Sequence, residues 1–235
     1  MAFEESEGRV PVMVDPQPRV FLQPLAAPSI LGLFGFAGAT FMIAAHMAHW
    51  FGSSYTDLFL VPFAALFGGL AQFLAGMWAY KARDGLATAF HGMWGAFWMG
   101  YGILTLMLFS GRVPATNGSY FPELGYWFIV VAAITWACTF AAAAENRAMV
   151  TVFTFAAAAS TIAAIGYLAG SEGLIILTGY LLIISSLAAW YAATALMVNE
   201  AYGREVWRLG KSAHARQMPR VTVGTGEPGV IRGQA

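Results

Sequence analysis

One cysteine in 235 residues, Cys138, lies inside an apolar run, so the chain has no disulfide framework. Charge is scarce as well. Asp, Glu, Lys and Arg make up 10% of the residues, against about a quarter in a soluble domain. No basic stripe is interleaved with aromatics, which argues against nucleic acid as a partner. GxSxG, HExxH, the P-loop and paired carboxylates are all missing, so hydrolytic and phosphoryl-transfer enzymes lack their parts. An enzyme is not expected, nor is a metal or any other cofactor. The start of the chain lacks the basic, then apolar pattern of a secretory signal and instead carries Glu4, Glu5, Glu7 and Asp15. The most informative absence is internal: no Asp, Glu, Lys or Arg falls within six long apolar runs.

Those runs dominate the composition, which is 59% hydrophobic with a mean hydropathy of +0.64. They occupy residues 29–50, 58–80, 86–110, 124–144, 148–169 and 173–198. Each matches the roughly 20 apolar residues that a helix needs to cross about 30 Å of hydrocarbon. Eleven of the twelve cations lie on one side of them: Arg9, Arg19, Lys81, Arg83, Arg147, Arg204, Arg208, Lys211, Arg216, Arg220 and Arg232. Cationic segments stay cytoplasmic during insertion, so this side is expected to be the inside, with Arg112 the single outer exception. The expected fold is an all-α membrane protein with six transmembrane helices and both termini cytoplasmic, in the inner (plasma) membrane. Residues 1–28 form a polar N-terminal segment, 29–198 the membrane domain, and 199–235 a basic, partly disordered tail that reads as a solvated topology signal. Trp50, Phe51, Trp78, Tyr80, Tyr126 and Trp127 cluster near the span ends, as interfacial anchors do.

Inside the spans, glycines such as Gly32, Gly35 and Gly38 let backbones approach where lipid offers no hydrophobic drive. His46 and His49 stand one turn apart towards the expected outer end of the first span. A zinc site needs three or four ligands, and no third is near in sequence. Histidine titrates between about pH 5 and 8, which makes His46 a candidate for sensing outside pH. Gln72 places a primary amide at membrane mid-depth, where it requires either a helix–helix hydrogen bond or a passing polar solute. His91, early in the third span, is expected near the inner interface.

Four strings carry a resemblance: Pro28-Ser-Ile-Leu-Gly-Leu-Phe-Gly-Phe36, Gly68-Gly-Leu-Ala-Gln-Phe-Leu-Ala-Gly76, the stretch from Ala89 that ends Gly95-Ala-Phe-Trp98, and Asn199-Glu-Ala-Tyr-Gly-Arg204. Together they resemble the acetate uptake transporter family, the succinate–acetate permeases. The resemblance implies a hexamer of six-helix protomers, each with its own pore, taking up acetate and sometimes succinate with protons. It also implies an apolar constriction, to which Phe36, Trp94 and Ala156 (next to Phe155) correspond. Gln72 and His46 match polar positions of bacterial members, and Thr40 joins the expected pathway. This chain departs from the family pattern at Ala27, Ala79, Trp94 and Ala156, the last two exchanging bulk at the constriction.

A charge-free interior limits what crosses. An ionised carboxylate loses far more hydration in an apolar constriction than its neutral acid does. The expected species is therefore a small neutral solute, or a carboxylate crossing with its own proton. With the resemblance, the expected partners are a small carboxylate substrate, protons, the lipid bilayer and further copies of the chain. A hexameric channel for neutral solutes of the urea/amide type is the alternative.

Overall fold

The computed structural model of the chain describes residues 26–114, 116, 118–213 and 215. Six helices in it are long and apolar enough to cross a membrane: α1 (Pro28–Met47), α2 (Thr56–Ala82), α3 (Gly85–Phe109), α4 (Pro122–Ala142), α5 (Arg147–Ala169) and α6 (Glu172–Tyr202). The expected N-terminal segment lies outside the described residues up to residue 25, as does the tail from residue 216.

Local chemistry sets the helix ends. Pro28 opens α1, where its missing N–H is no loss. The side chain of Asp84 caps α3 by accepting from the Ala87 amide at 2.8 Å, and Asn146 caps α5 through the Met149 amide at 2.9 Å. Gly170 and Gly203 end α5 and α6 in the left-handed region, which glycine enters without a Cβ penalty. With 20 residues, α1 spans about 30 Å, the thickness of the hydrocarbon. At 31 residues α6 runs past the expected end at 198 and carries Asn199 and Glu200 beyond the apolar stretch.

One span is not uniform. Within α2, α-helical Thr56–Pro62 passes into π-helical Phe63–Ala71 before α-helix resumes at Gln72–Ala82. Pro62 has no N–H to give to the preceding turn, and Gly68 and Gly69 follow within the same stretch. A π stretch rotates the residues after it relative to those before it. Gln72 emerges from it fully buried.

Neighbouring helices run antiparallel and close a ring. α1 packs on α2 and α6, α2 on α3, α4 on α5 and α5 on α6, whereas α3 and α4 meet only sparsely. Glycines set the tightest approaches. A Cβ on Gly179 of α6 would lie 2.7 Å from the Ala44 carbonyl oxygen and 2.7 Å from the Ala48 nitrogen of α1. The outer surface exposes large apolar side chains, including Phe59, Leu66, Ile103 and Phe140, as a lipid-facing surface does.

Residues 203–212 fold back as a clasp over the turn between α4 and α5. The Asn199 side chain bonds the Val206 and Trp207 amides and the Trp207 carbonyl, and Trp207 stacks on Tyr191 with centroids 5.5 Å apart. Carbonyls of Gly210 and Leu209 then accept from the Arg147 and Ala148 amides at 3.0 and 3.1 Å. They satisfy two of the donors that a helix N-terminus leaves open. The Ser212 amide bonds the Glu145 carbonyl at 2.9 Å.

Burial, and then the negative charge of Asp84, push the Glu145 carboxyl up to about 7. A carboxyl whose folded value is raised contributes stability that is complete below its unfolded value and lost as pH rises through about 7. Protection of the Arg147 and Ala148 amides against hydrogen exchange, corrected for intrinsic rates, is accordingly expected to be greater at pH 5 than at pH 8. Glu145→Gln should flatten that profile; an unchanged profile would show that Glu145 does not load the clasp.

Candidate functional site: an aromatic constriction

Side chains from α1, α3 and α5 meet at the centre of the ring. Phe36 is completely buried and presents its ring edge-on to Trp94 (5.2 Å, 85°) and Phe90 (5.2 Å, 62°). Phe90 reaches across to Phe153 of α5 at 4.3 Å. Trp94 has no freedom to swing, because its indole N–H donates to Thr135 Oγ1 at 3.0 Å and that hydroxyl donates to the Val131 carbonyl at 2.7 Å. Edge-to-face ring pairs of this kind add about 0.5–1.5 kcal/mol each beyond buried area.

The structure thus brings Phe36 and Trp94 together. Ala156 is also fully buried, and the residue of α5 whose ring joins the cluster is Phe153, three residues earlier on the same helix face. Phe155 points elsewhere: it is half-buried and makes no ring contact with the cluster. Phe90 and Phe153 were not anticipated from the sequence. The one available signal was the spacing of Phe153 and Ala156, which share a face where Phe155 and Ala156 do not.

Polar atoms flank these rings without partners. Most buried hydroxyls in the bundle bond a carbonyl of their own helix, as Thr139, Ser160 and Thr178 do. Thr40, one turn beyond Phe36 on α1, does not, and neither the oxygen nor the nitrogen of the Gln72 amide is paired. The helix–helix hydrogen bond that would satisfy Gln72 is therefore not made among the described residues. Both His91 ring nitrogens and the Trp98 indole N–H are unpaired too. His91 is completely buried, in the second turn of α3 against Gly32 in the second turn of α1. An unpaired buried polar group costs about 1–3 kcal/mol, so Gln72→Met, close in shape and without the amide, is expected to raise the melting temperature and slow transport. A lower melting temperature would reveal a partner for the amide.

At the end of the bundle where α1 finishes and α2 begins, His46 Nδ1 donates to the Phe51 carbonyl at 3.1 Å. His46 Nε2 lies 3.3 Å from Asp57 Oδ1, and His49 is 3.7 Å from Glu172. The loops that bring these acids in are separated from the histidines in sequence. Towards the same end, a cavity of about 620 Å³ opens in the loose seam between α3 and α4, lined by Phe97, Tyr101, Leu104, Phe121, Leu124 and Trp127 among others. Phe97 belongs to the cavity wall and also lies 5.4 Å from Trp94, so the cavity reaches the aromatic cluster.

Residues 13–203 match the sequence profile of the GPR1/FUN34/yaaH family. The chain is 29% identical over 189 residues to the succinate-acetate/proton symporter SatP of Escherichia coli K12, covering 80% of this chain and 97% of that one. It is 26% identical over 172 residues to ammonia transport outward protein 2 of Saccharomyces cerevisiae, covering 72% and 61% respectively. Among solved structures it is similar to the bacterial acetate channel SatP, with a TM-score of 0.73 and 27% identity over 80% of this chain and all of that one.

Proposed function

Since the chain belongs to the GPR1/FUN34/yaaH family, we propose that it is a membrane transporter for acetate and related small monocarboxylates, succinate among them, with each acid crossing together with its proton. The observation that carries this reading is the combination at the centre of the ring. A plug of aromatic rings without any charged side chain is flanked by buried hydrogen-bonding atoms that the protein leaves unpaired. Phe36, Trp94 and Phe153 close the path. Gln72 and Thr40 offer passing solute the bonds that it gives up on leaving water. Ala156 adds little bulk to the α5 wall, and Phe155 lies outside the ring cluster.

In the expected orientation, the clasp and most cations face the cytoplasm, while His46, Asp57 and the α3–α4 cavity face outward. The mouth then holds an acid–histidine pair close to where a carboxylate must take up its proton. Separation of charge from the interior explains the coupling. Carrying a carboxylate through the rings would forfeit its hydration with no cation to replace it, whereas the neutral acid has only two hydrogen-bonding groups to satisfy. The likeness to an acetate channel over its whole length favours carboxylates over urea as cargo. The proposed assembly is a homohexamer in the plasma membrane, each protomer conducting through its own ring.

The test is uptake of radiolabelled acetate into proteoliposomes, with protein-free liposomes subtracted. At fixed total acetate, protein-dependent uptake is expected to rise steeply as the outside pH falls from 8 to 5, and urea run alongside should not follow it. Acetate uptake indifferent to pH over that range would sink the coupling by substrate protonation.

A further inference from the structure

Apart from the rings, the largest fully buried side chain with nothing to bond is His91. It lies on α3 next to Phe90, whose ring is 5.2 Å away at 68°, so it is adjacent to a member of the constriction. Its imidazole sits in a socket made for it by α1. A Cβ on Gly32 would fall 2.5 Å from its Cε1 and 2.5 Å from its Nδ1, closer than any side chain could be tolerated. One turn further along α1, a Cβ on Gly35 would lie 2.7 Å from the Phe67 carbonyl oxygen, with the nitrogen and Cβ of Gln72 at ordinary contact distances of 3.6 and 3.7 Å. Three residues of α-helix rise about 4.5 Å, so His91 and the residue Gln72, whose polar side-chain atoms are both unpaired, pack against α1 within one turn of each other.

We propose that His91 is a substrate subsite that reads the acid's proton: its unprotonated ring nitrogen accepts the O–H of an uncharged carboxylic acid. An uncharged imidazole has one acceptor and one donor nitrogen. A neutral acid supplies the O–H that the acceptor lacks. A carboxylate has acceptors alone, so it leaves that nitrogen unpaired and brings a bare charge into the rings. His91 therefore distinguishes the two forms of one solute by hydrogen bonding, beyond the exclusion of charge by the apolar surroundings. Packing alone gives no reason for an imidazole here, because a phenyl ring would fill the same socket with no nitrogen to satisfy. The role is that of a specificity-determining residue, and it rests on the transport reading above.

The experiment uses full-length protein in lipid nanodiscs with ¹⁵N-labelled histidine imidazoles. Of the four histidines, the His91 resonances are those missing from His91→Gln. Acetate is expected to shift them in a saturable manner, over the concentrations that saturate uptake in proteoliposomes. In the same flux assay His91→Gln, which keeps a donor and an acceptor, should stay within about threefold of wild type, while His91→Phe should fall by about tenfold, the equivalent of one lost hydrogen bond. His91 nitrogens unmoved by saturating acetate overturn the subsite, and so does a folded His91→Phe that transports like wild type. Should His91→Phe fail to fold by size-exclusion chromatography, the titration decides. A wild-type protein that carries no acetate at all overturns the transport reading instead, which separates the two failures.

Discussion

Phe36→Ala is expected to raise the ratio of succinate to acetate uptake by about tenfold, equivalent to a barrier lowered by about 1.4 kcal/mol for the larger acid. Phe36 is the only member of the cluster contributed by α1, and its edge closes on both Phe90 and Trp94. On the α5 side Ala156 adds almost no bulk, and the Phe153 ring is already packed against Phe90 at 4.3 Å. Trp94 cannot swing in, because Thr135 holds its indole. The opening should therefore persist as a wider bore. It comes at a cost in stability of about 3–5 kcal/mol, the range for removing a buried phenyl ring, and lipid reconstitution is the setting in which to measure it. Phe155→Ala is the control: that ring lies outside the cluster, and its removal should leave the ratio unchanged. If folded Phe36→Ala kept the wild-type ratio, the constriction would lie elsewhere.

Gly95→Leu should abolish the folded protein. A Cβ at Gly95 of α3 would lie 2.6 Å from the Phe73 nitrogen, 2.8 Å from the Phe73 Cα and 2.9 Å from the Gly69 carbonyl oxygen of α2. All three are backbone atoms, which cannot turn aside as a side chain can. Ordinary overpacking costs about 1–3 kcal/mol because neighbours adjust. Here the two helices must separate, directly beside Trp94, and the expected loss exceeds that range. Even Gly95→Ala should reduce the yield of monodisperse protein on size exclusion in mild detergent. Gly100→Ala, with nothing near its added methyl group, should elute as wild type. Normal elution of Gly95→Leu would mean that α2 and α3 are not so closely joined.

The spans were legible because length and the absence of charge are one-dimensional properties, and a bilayer enforces both. Which face of each helix looks inward was much less so. Soluble helices announce their buried face through an apolar stripe, but a helix wetted by lipid is apolar all round, so Phe153 and Phe155 look equivalent until the bundle is seen. The burial of His91 was hidden for a related reason: its socket is made by Gly32, a residue nearly sixty positions away whose only contribution is a missing side chain. The π stretch left no mark beyond Pro62 and two glycines, and it governs where Gln72 emerges. Pairing of His46 with Asp57 and of His49 with Glu172 depends on how the loops close, which spacing does not encode. The resemblance to a known family named Phe36 and Trp94, and the structure places them edge to face.

The closure of the ring by α1 and α6 has a consequence for how the molecule is made. The α1 helix finds its partner in α6, with Gly179 lying against the backbone at Ala44 and Ala48. More than a hundred residues must be synthesised between them, a delay on the order of ten seconds at typical elongation rates. Throughout that interval one face of α1 is covered by lipid or by the insertion machinery. The ring then shuts, and the clasp over α4 and α5 docks, only once α6 and the residues after it have been made. A ribosome that stops before α6 leaves five helices in the bilayer with the ring unclosed at α1 and α5.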